Sequence, residues 1–153
     1  MLSRKYIYIV FWAAMSSVLT AFLISLLAVY RDVIFENNVQ AMKGISYALL
    51  MFFIYELFVI VFTETKYTTL TPRQSINLFL GFKVGKIILS LFFIVIYAVV
   101  VRVEFMRFLF VFVVLYMIYL LFDTIYLISR EKSMKKKQYK LKEIEKLSNY
   151  YKQ

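Results

Sequence analysis

The sequence predicts an all-α membrane protein: four transmembrane helices arranged as two hairpins, both termini cytoplasmic, followed by a basic helical tail. Three observations predict it. Hydrophobic residues make up 63% of the 153 positions, against about 45–50% in soluble domains. They are gathered into four long blocks, which suits membrane spans better than a soluble core. Lys and Arg are also distributed unevenly along the chain, and their side of the bilayer sets orientation.

The first block, residues 6–29, carries no charge. The stretch Met1-Leu2-Ser3-Arg4-Lys5 before it looks like a signal peptide, but the apolar run exceeds an h-region of about 7–15 residues and no A-x-A site follows, so a retained first helix is expected. Ala13, Ser17, Ala21 and Ser25 recur every four positions, a small-residue stripe of the kind that lets helices approach closely in lipid. Residues 31–43 read as a polar connection. The second span, 44–62, contains one acid, Glu56, and residues 63–70 read as a polar loop.

Thr71-Pro72-Arg73-Gln74 is a helix start, with Thr71 as cap, Pro72 at the first helical position and Gln74 completing a capping box. From Pro72 to Val101 the third helix would be about 45 Å long. A hydrocarbon core of about 30 Å takes only some 20 of those residues, so a span over 76–101 begins in the interface and its core begins near Phe82. Lys83 and Lys86 then sit at the edge of the core, with Gly81 and Gly85 on another face in GxxxG spacing, where a neighbouring helix can pack; this spacing also admits a homo-oligomer. A short turn leads to the fourth span, 108–128, where Phe112, Tyr116, Tyr119, Asp123 and Tyr126 share one helical face. The chain thus divides into a bundle, residues 1–128, and a tail, residues 129–153.

Orientation follows from the basic residues. Fifteen of the 19 Lys and Arg lie at the N-terminus, around the second connection and in the tail. Placing these on the cytoplasmic side requires an even number of spans, in agreement with four. Under this topology Glu56, Lys83, Lys86 and Asp123 fall within roughly 10 Å of the cytoplasmic boundary. Two acids and two bases on three helices can pair and so lower the cost of burial, about 2.5–3.5 kcal/mol for an isolated central charge. Snorkelling is the alternative for the lysines, and an ion path or a docking point for a partner's charge is the functional alternative for the band.

In the tail, Lys135, Lys136 and Lys137 directly follow a span and suit contact with anionic headgroups. Leu141, Ile144 and Leu147, with Tyr151, form a weak apolar stripe suited to docking a partner. Nucleic acid is not expected as a partner, since no binding motif is present. With no Cys and no His, disulfides, Cys/His metal sites and Cys- or His-based catalysis are excluded. No G-x-S-x-G, HExxH or P-loop occurs. An enzyme is not expected, and neither a cofactor nor a bound metal.

Four short spans with cytoplasmic ends, and a third helix entering as Phe79-Leu80-Gly81-Phe82-Lys83-Val84, resemble the ATP synthase subunit I family, small proteins often encoded beside the membrane subunits of the bacterial rotary synthase. Some members carry a Gly-x-x-Phe-Lys-Val run at this point; here the glycine is nearer, in Gly81-Phe82-Lys83-Val84. The resemblance covers mainly the second hairpin, about residues 74–128. It implies a non-enzymatic accessory or assembly protein of the F-type ATP synthase membrane sector in the bacterial inner membrane. Such a protein would help to assemble or stabilise the c-ring, with the synthase a, b or c subunits as partners. Glu56, Lys83 and Asp123 are then contact points by position rather than by family motif. Two other classes compete: a small oligomeric ion or solute transporter using Glu56 or Asp123, and a pore-former of the holin type.

Overall fold

A computed structural model describes residues 4–36, 38–66 and 71–150. The described chain is all-helical: α1 (Arg4–Phe35), α2 (Val39–Lys66), α3 (Pro72–Val100) and α4 (Phe105–Tyr150). Each contains a stretch long and apolar enough to cross a membrane, which marks a multi-pass membrane protein. The outer faces present Val18, Phe22, Ile88, Phe92, Phe110 and Leu121, as lipid contact requires.

The helix ends explain why the elements outrun the apolar blocks. The polar connection expected over 31–43 is shorter than that: α1 runs to Phe35 and α2 begins at Val39. Glu36 takes a left-handed conformation, with φ 46°, and the Asn38 amide donates to the Phe35 carbonyl at 2.7 Å. The Asn38 Oδ1 then accepts from the amides of Gln40 and Ala41 at 3.1 and 3.3 Å. One asparagine therefore closes α1 and caps α2. Helix α3 starts as its sequence dictates. The Thr71 Oγ1 accepts from the Gln74 amide, and the Gln74 Oε1 accepts from the Thr71 amide at 3.0 Å. At its far end the amides of Val101 and Arg102 both donate to the Tyr97 carbonyl, and the Tyr97 hydroxyl donates to the Val103 carbonyl at 3.0 Å. The last span and the tail form one uninterrupted helix of 46 residues.

The inside is built mainly from aromatics. Phe52, Phe108, Phe112, Leu115, Tyr119 and Tyr97 pack with Leu49 and Leu23 into the larger core. Trp12, Ile60, Phe79, Phe122 and Tyr126 form a second cluster. The α4 face read from the sequence is the inward one, with Phe112, Tyr119 and Tyr126 fully buried and Tyr116 and Asp123 half-buried.

Two packing expectations are corrected. In α1 the buried face is Trp12, Ser16, Thr20 and Leu23. Of the small-residue stripe, Ser17, Ala21 and Ser25 are exposed and Ala13 is half-buried. The hydroxyls of Ser17 and Ser25 donate to their own helix, at the carbonyls of Ala13 and Ala21, which satisfies them without a partner helix. In α3, Gly81 faces open space. Gly85 meets the Tyr55 hydroxyl, 3.0 Å from where a Cβ would stand, and that hydroxyl donates to the Phe82 carbonyl at 2.6 Å. The tight glycine is instead Gly44. A Cβ there would run into the Tyr97 ring, which is stacked on Phe108 with centroids 3.5 Å apart.

Gly44→Ala should therefore destabilise the bundle by about 1–3 kcal/mol through overpacking, despite alanine's better helix propensity. Gly81→Ala should be neutral or stabilise by up to about 1 kcal/mol. Thermal denaturation of the two variants in mild detergent checks both signs.

Candidate functional site: two buried ionic layers

Helix α2 carries Glu56 and Glu64 eight residues apart, hence on one face and about 12 Å apart along the axis. Helix α4 carries Asp123, Tyr126 and Arg130 at the matching spacing, and α3 contributes Lys86. These residues form two ionic layers inside the bundle.

In the first layer the Lys86 ammonium donates to Glu56 Oε1 and to Asp123 Oδ2, the latter at 2.8 Å. Exposure of the side chains is 1% for Lys86, 2% for Glu56 and 14% for Asp123. The two carboxyl groups are thus gathered on a single ammonium. The ammonium also lies 5.4 Å from the Tyr119 ring centroid and 5.8 Å from that of Phe52, close enough for cation–π attraction. Tyr119 is held in turn by a 2.7 Å hydrogen bond with the Thr20 hydroxyl on α1. Asp123 reaches a narrow crevice lined by Tyr55, Val59, Phe79, Phe82 and Lys83.

In the second layer Glu64 is fully buried. It accepts from the Tyr126 hydroxyl at 3.1 Å and pairs with the Arg130 guanidinium, which also sits 4.9 Å from the Tyr8 ring centroid. Between the layers in sequence stand Ile60 on α2 and Tyr126 on α4, both members of the smaller apolar cluster. Three further buried hydroxyls, of Ser16, Thr63 and Ser90, have no hydrogen-bond partner among the described residues.

The expected four-residue band thus becomes a triad. Glu56, Lys86 and Asp123 meet; Lys83 does not join them. A three-residue step turns a side chain about 60° around the helix axis, which leaves Lys83 half-buried at the lip of the crevice. It forms no ion pair among the described residues. The sequence does not bring out the Glu64–Arg130 layer, because hydropathy falls at Thr63 and Ser129 and both charged residues then read as lying outside the spans. The available signal was spacing: Glu64 follows Glu56 by eight and Arg130 follows Asp123 by seven, each two helical turns.

In the tail, Lys135 pairs with Glu131 at 2.7 Å, and Lys136, Leu141, Ile144 and Leu147 are exposed. The side chain of Lys137 and all of Tyr151 lie outside the described residues. The class defined so far is an α-helical multi-pass membrane protein with a charge-paired interior. Comparison with protein families, with curated proteins and with solved structures finds no match.

Removing one partner of a buried ion pair strands the others, at about 3–5 kcal/mol. Lys86→Met should lower stability by that order, and Lys83→Met should stay within about 0.5 kcal/mol of the parent. Parallel denaturation of the two variants in the same detergent measures the difference.

Proposed function

We propose that the chain is a non-enzymatic accessory or assembly protein of the ATP synthase subunit I type, acting on the membrane sector of an F-type synthase in the bacterial inner membrane. The a, b or c subunits are the proposed partners, and help in assembling or stabilising the c-ring is the proposed task. In this proposal the four spans form two hairpins with both termini cytoplasmic, following the basic-residue bias.

The observation that carries the proposal is the outer part of α4. The helix is 46 residues long, about 69 Å, whereas crossing the hydrocarbon core takes some 20 residues. From Lys135 onward every described side chain is exposed, Leu141, Ile144 and Leu147 among them. A rigid arm with unpartnered apolar side chains suits a protein that holds another protein. The lysines at its root suit anionic headgroups. The subunit I resemblance, carried by Gly81-Phe82-Lys83-Val84, supplies the identity of the partner.

A second reading, a small oligomeric ion or solute transporter, is favoured by one observation: two carboxyl groups share one ammonium in the first layer. Transport would use Glu56 or Asp123.

Gentle-detergent isolation of the tagged protein from its own membranes, followed by mass spectrometry, tests the accessory role. Synthase a, b or c subunits should be recovered above an unrelated four-span control. Leu141→Asp combined with Ile144→Asp should reduce that recovery and leave the thermal midpoint unchanged, since both side chains are exposed. Isolation of the protein as a discrete oligomer without those subunits would count against a stable complex. The transport reading requires flux in proteoliposomes that disappears in Glu56→Gln or Asp123→Asn.

A further inference from the structure

The first ionic layer does not balance. With Lys86 protonated and both carboxyls ionised it carries one excess negative charge in a layer bounded by aromatic and aliphatic side chains. An isolated charge in the centre of a membrane helix costs about 2.5–3.5 kcal/mol on insertion scales. The geometry adds a second, independent constraint. Both carboxyl groups accept from the one Lys86 ammonium, which holds them side by side, and since an ionised carboxylate is an acceptor only, the two can bond to each other only if one of them carries a proton. Two carboxylates that share a site resist ionising together. Lys86 donates to both but cannot donate on behalf of either toward the other.

We propose that Glu56, Lys86 and Asp123 form a proton-binding site that holds one exchangeable proton between the two carboxyl groups. With that proton the layer is neutral: one ammonium, one carboxylate and one carboxylic acid. Binding forms an O–H bond on a carboxylate oxygen, and release returns the proton to water. The route of exchange is the Asp123 side. Asp123 keeps 14% of its side-chain exposure and faces the crevice lined by Tyr55, Val59, Phe79, Phe82 and Lys83, whereas Glu56 and Lys86 are closed off.

The other groups that face the site do not supply the missing charge. Helix α2 adds the Tyr55 hydroxyl, already donated to the Phe82 carbonyl. Helix α3 adds Lys83 at the lip of the crevice. Helix α4 adds Tyr116 and Tyr119. Helix α1 adds the uncharged Thr20 hydroxyl through Tyr119. A site of this kind does not depend on either an accessory or a transport role.

Infrared spectroscopy of the full chain in lipid nanodiscs tests the proposal. The parent protein should show, at neutral pH, the C=O band of a protonated carboxylic acid, displaced in heavy water. Asp123→Asn leaves a balanced Glu56–Lys86 pair, and the new amide can donate to Glu56 where the proton stood, so the fold should survive and the band should vanish. Glu56→Gln should remove it likewise. A parent protein without such a band at neutral pH would overturn the proposal, and that measurement does not depend on either variant folding. Full band intensity persisting in either variant would place the proton elsewhere and overturn it equally.

Discussion

The structure depends on one constraint: an ionised side chain inside an apolar bundle must find its opposite charge inside as well. Lys86 lies on a helix with exposed apolar side chains before and after it, Val84 and Ile87, and its ammonium is accommodated by turning inward. That turn fixes the rotation of α3 about its axis and its height against Glu56 on α2 and Asp123 on α4. The Glu64–Arg130 pair repeats the constraint two turns further along α2 and α4. Buried pairs add little net stability, because desolvation offsets much of the attraction. Here their clearest effect is on register: sliding α4 by one residue against α2 would strand both acids of α2 at once.

Helix α1 plays a different part. Among its described side chains it brings no charge to the interior, and its contribution is shape and a few hydroxyls. Trp12 packs edge-on against Phe122 and Tyr126, with centroids 5.8 and 5.0 Å away, and Thr20 ties down Tyr119. Both Tyr119 and Tyr126 then touch an ionic layer, the first under the Lys86 ammonium and the second on Glu64. The two tyrosines are therefore joints between the apolar and ionic parts of the bundle: the Tyr126 ring packs in the smaller cluster while its hydroxyl reaches Glu64, and the Tyr119 ring packs in the larger core beside the Lys86 ammonium while Thr20 holds its hydroxyl.

Much of this was legible in the chain, and the limits have physical causes. The four apolar blocks, the Thr71–Gln74 cap and the inward α4 face of Phe112, Tyr119 and Tyr126 follow from hydropathy, local hydrogen bonding and helical periodicity, all of which act over short stretches. Glu56, Lys86 and Asp123 were singled out because charge in hydrocarbon demands a reason. Which lysine turns inward was not legible: Lys83 and Lys86 differ by about 60° of helix rotation, and only tertiary packing selects between them. The small-residue stripe of α1 misled for a related reason. Ser17 and Ser25 satisfy their hydroxyls within their own helix, so the stripe needs no neighbour, and the bulkier Trp12, Thr20 and Leu23 took the interface. Gly44 carries no pattern of its own in the sequence, and its significance comes entirely from a tyrosine ring more than fifty residues away.

The absence of any break in α4 has a mechanical meaning. From Phe105 to Tyr150 no proline or glycine interrupts the ladder of hydrogen bonds, so the outer arm and the inner span form a single stiff rod. A sideways or twisting load applied near Leu147 is not absorbed at a hinge. It is delivered to Arg130 and then to Asp123, the two α4 residues that lock the bundle through charge. The arm is thus geared to the ionic interior, and whatever pulls on one end moves the groups at the other.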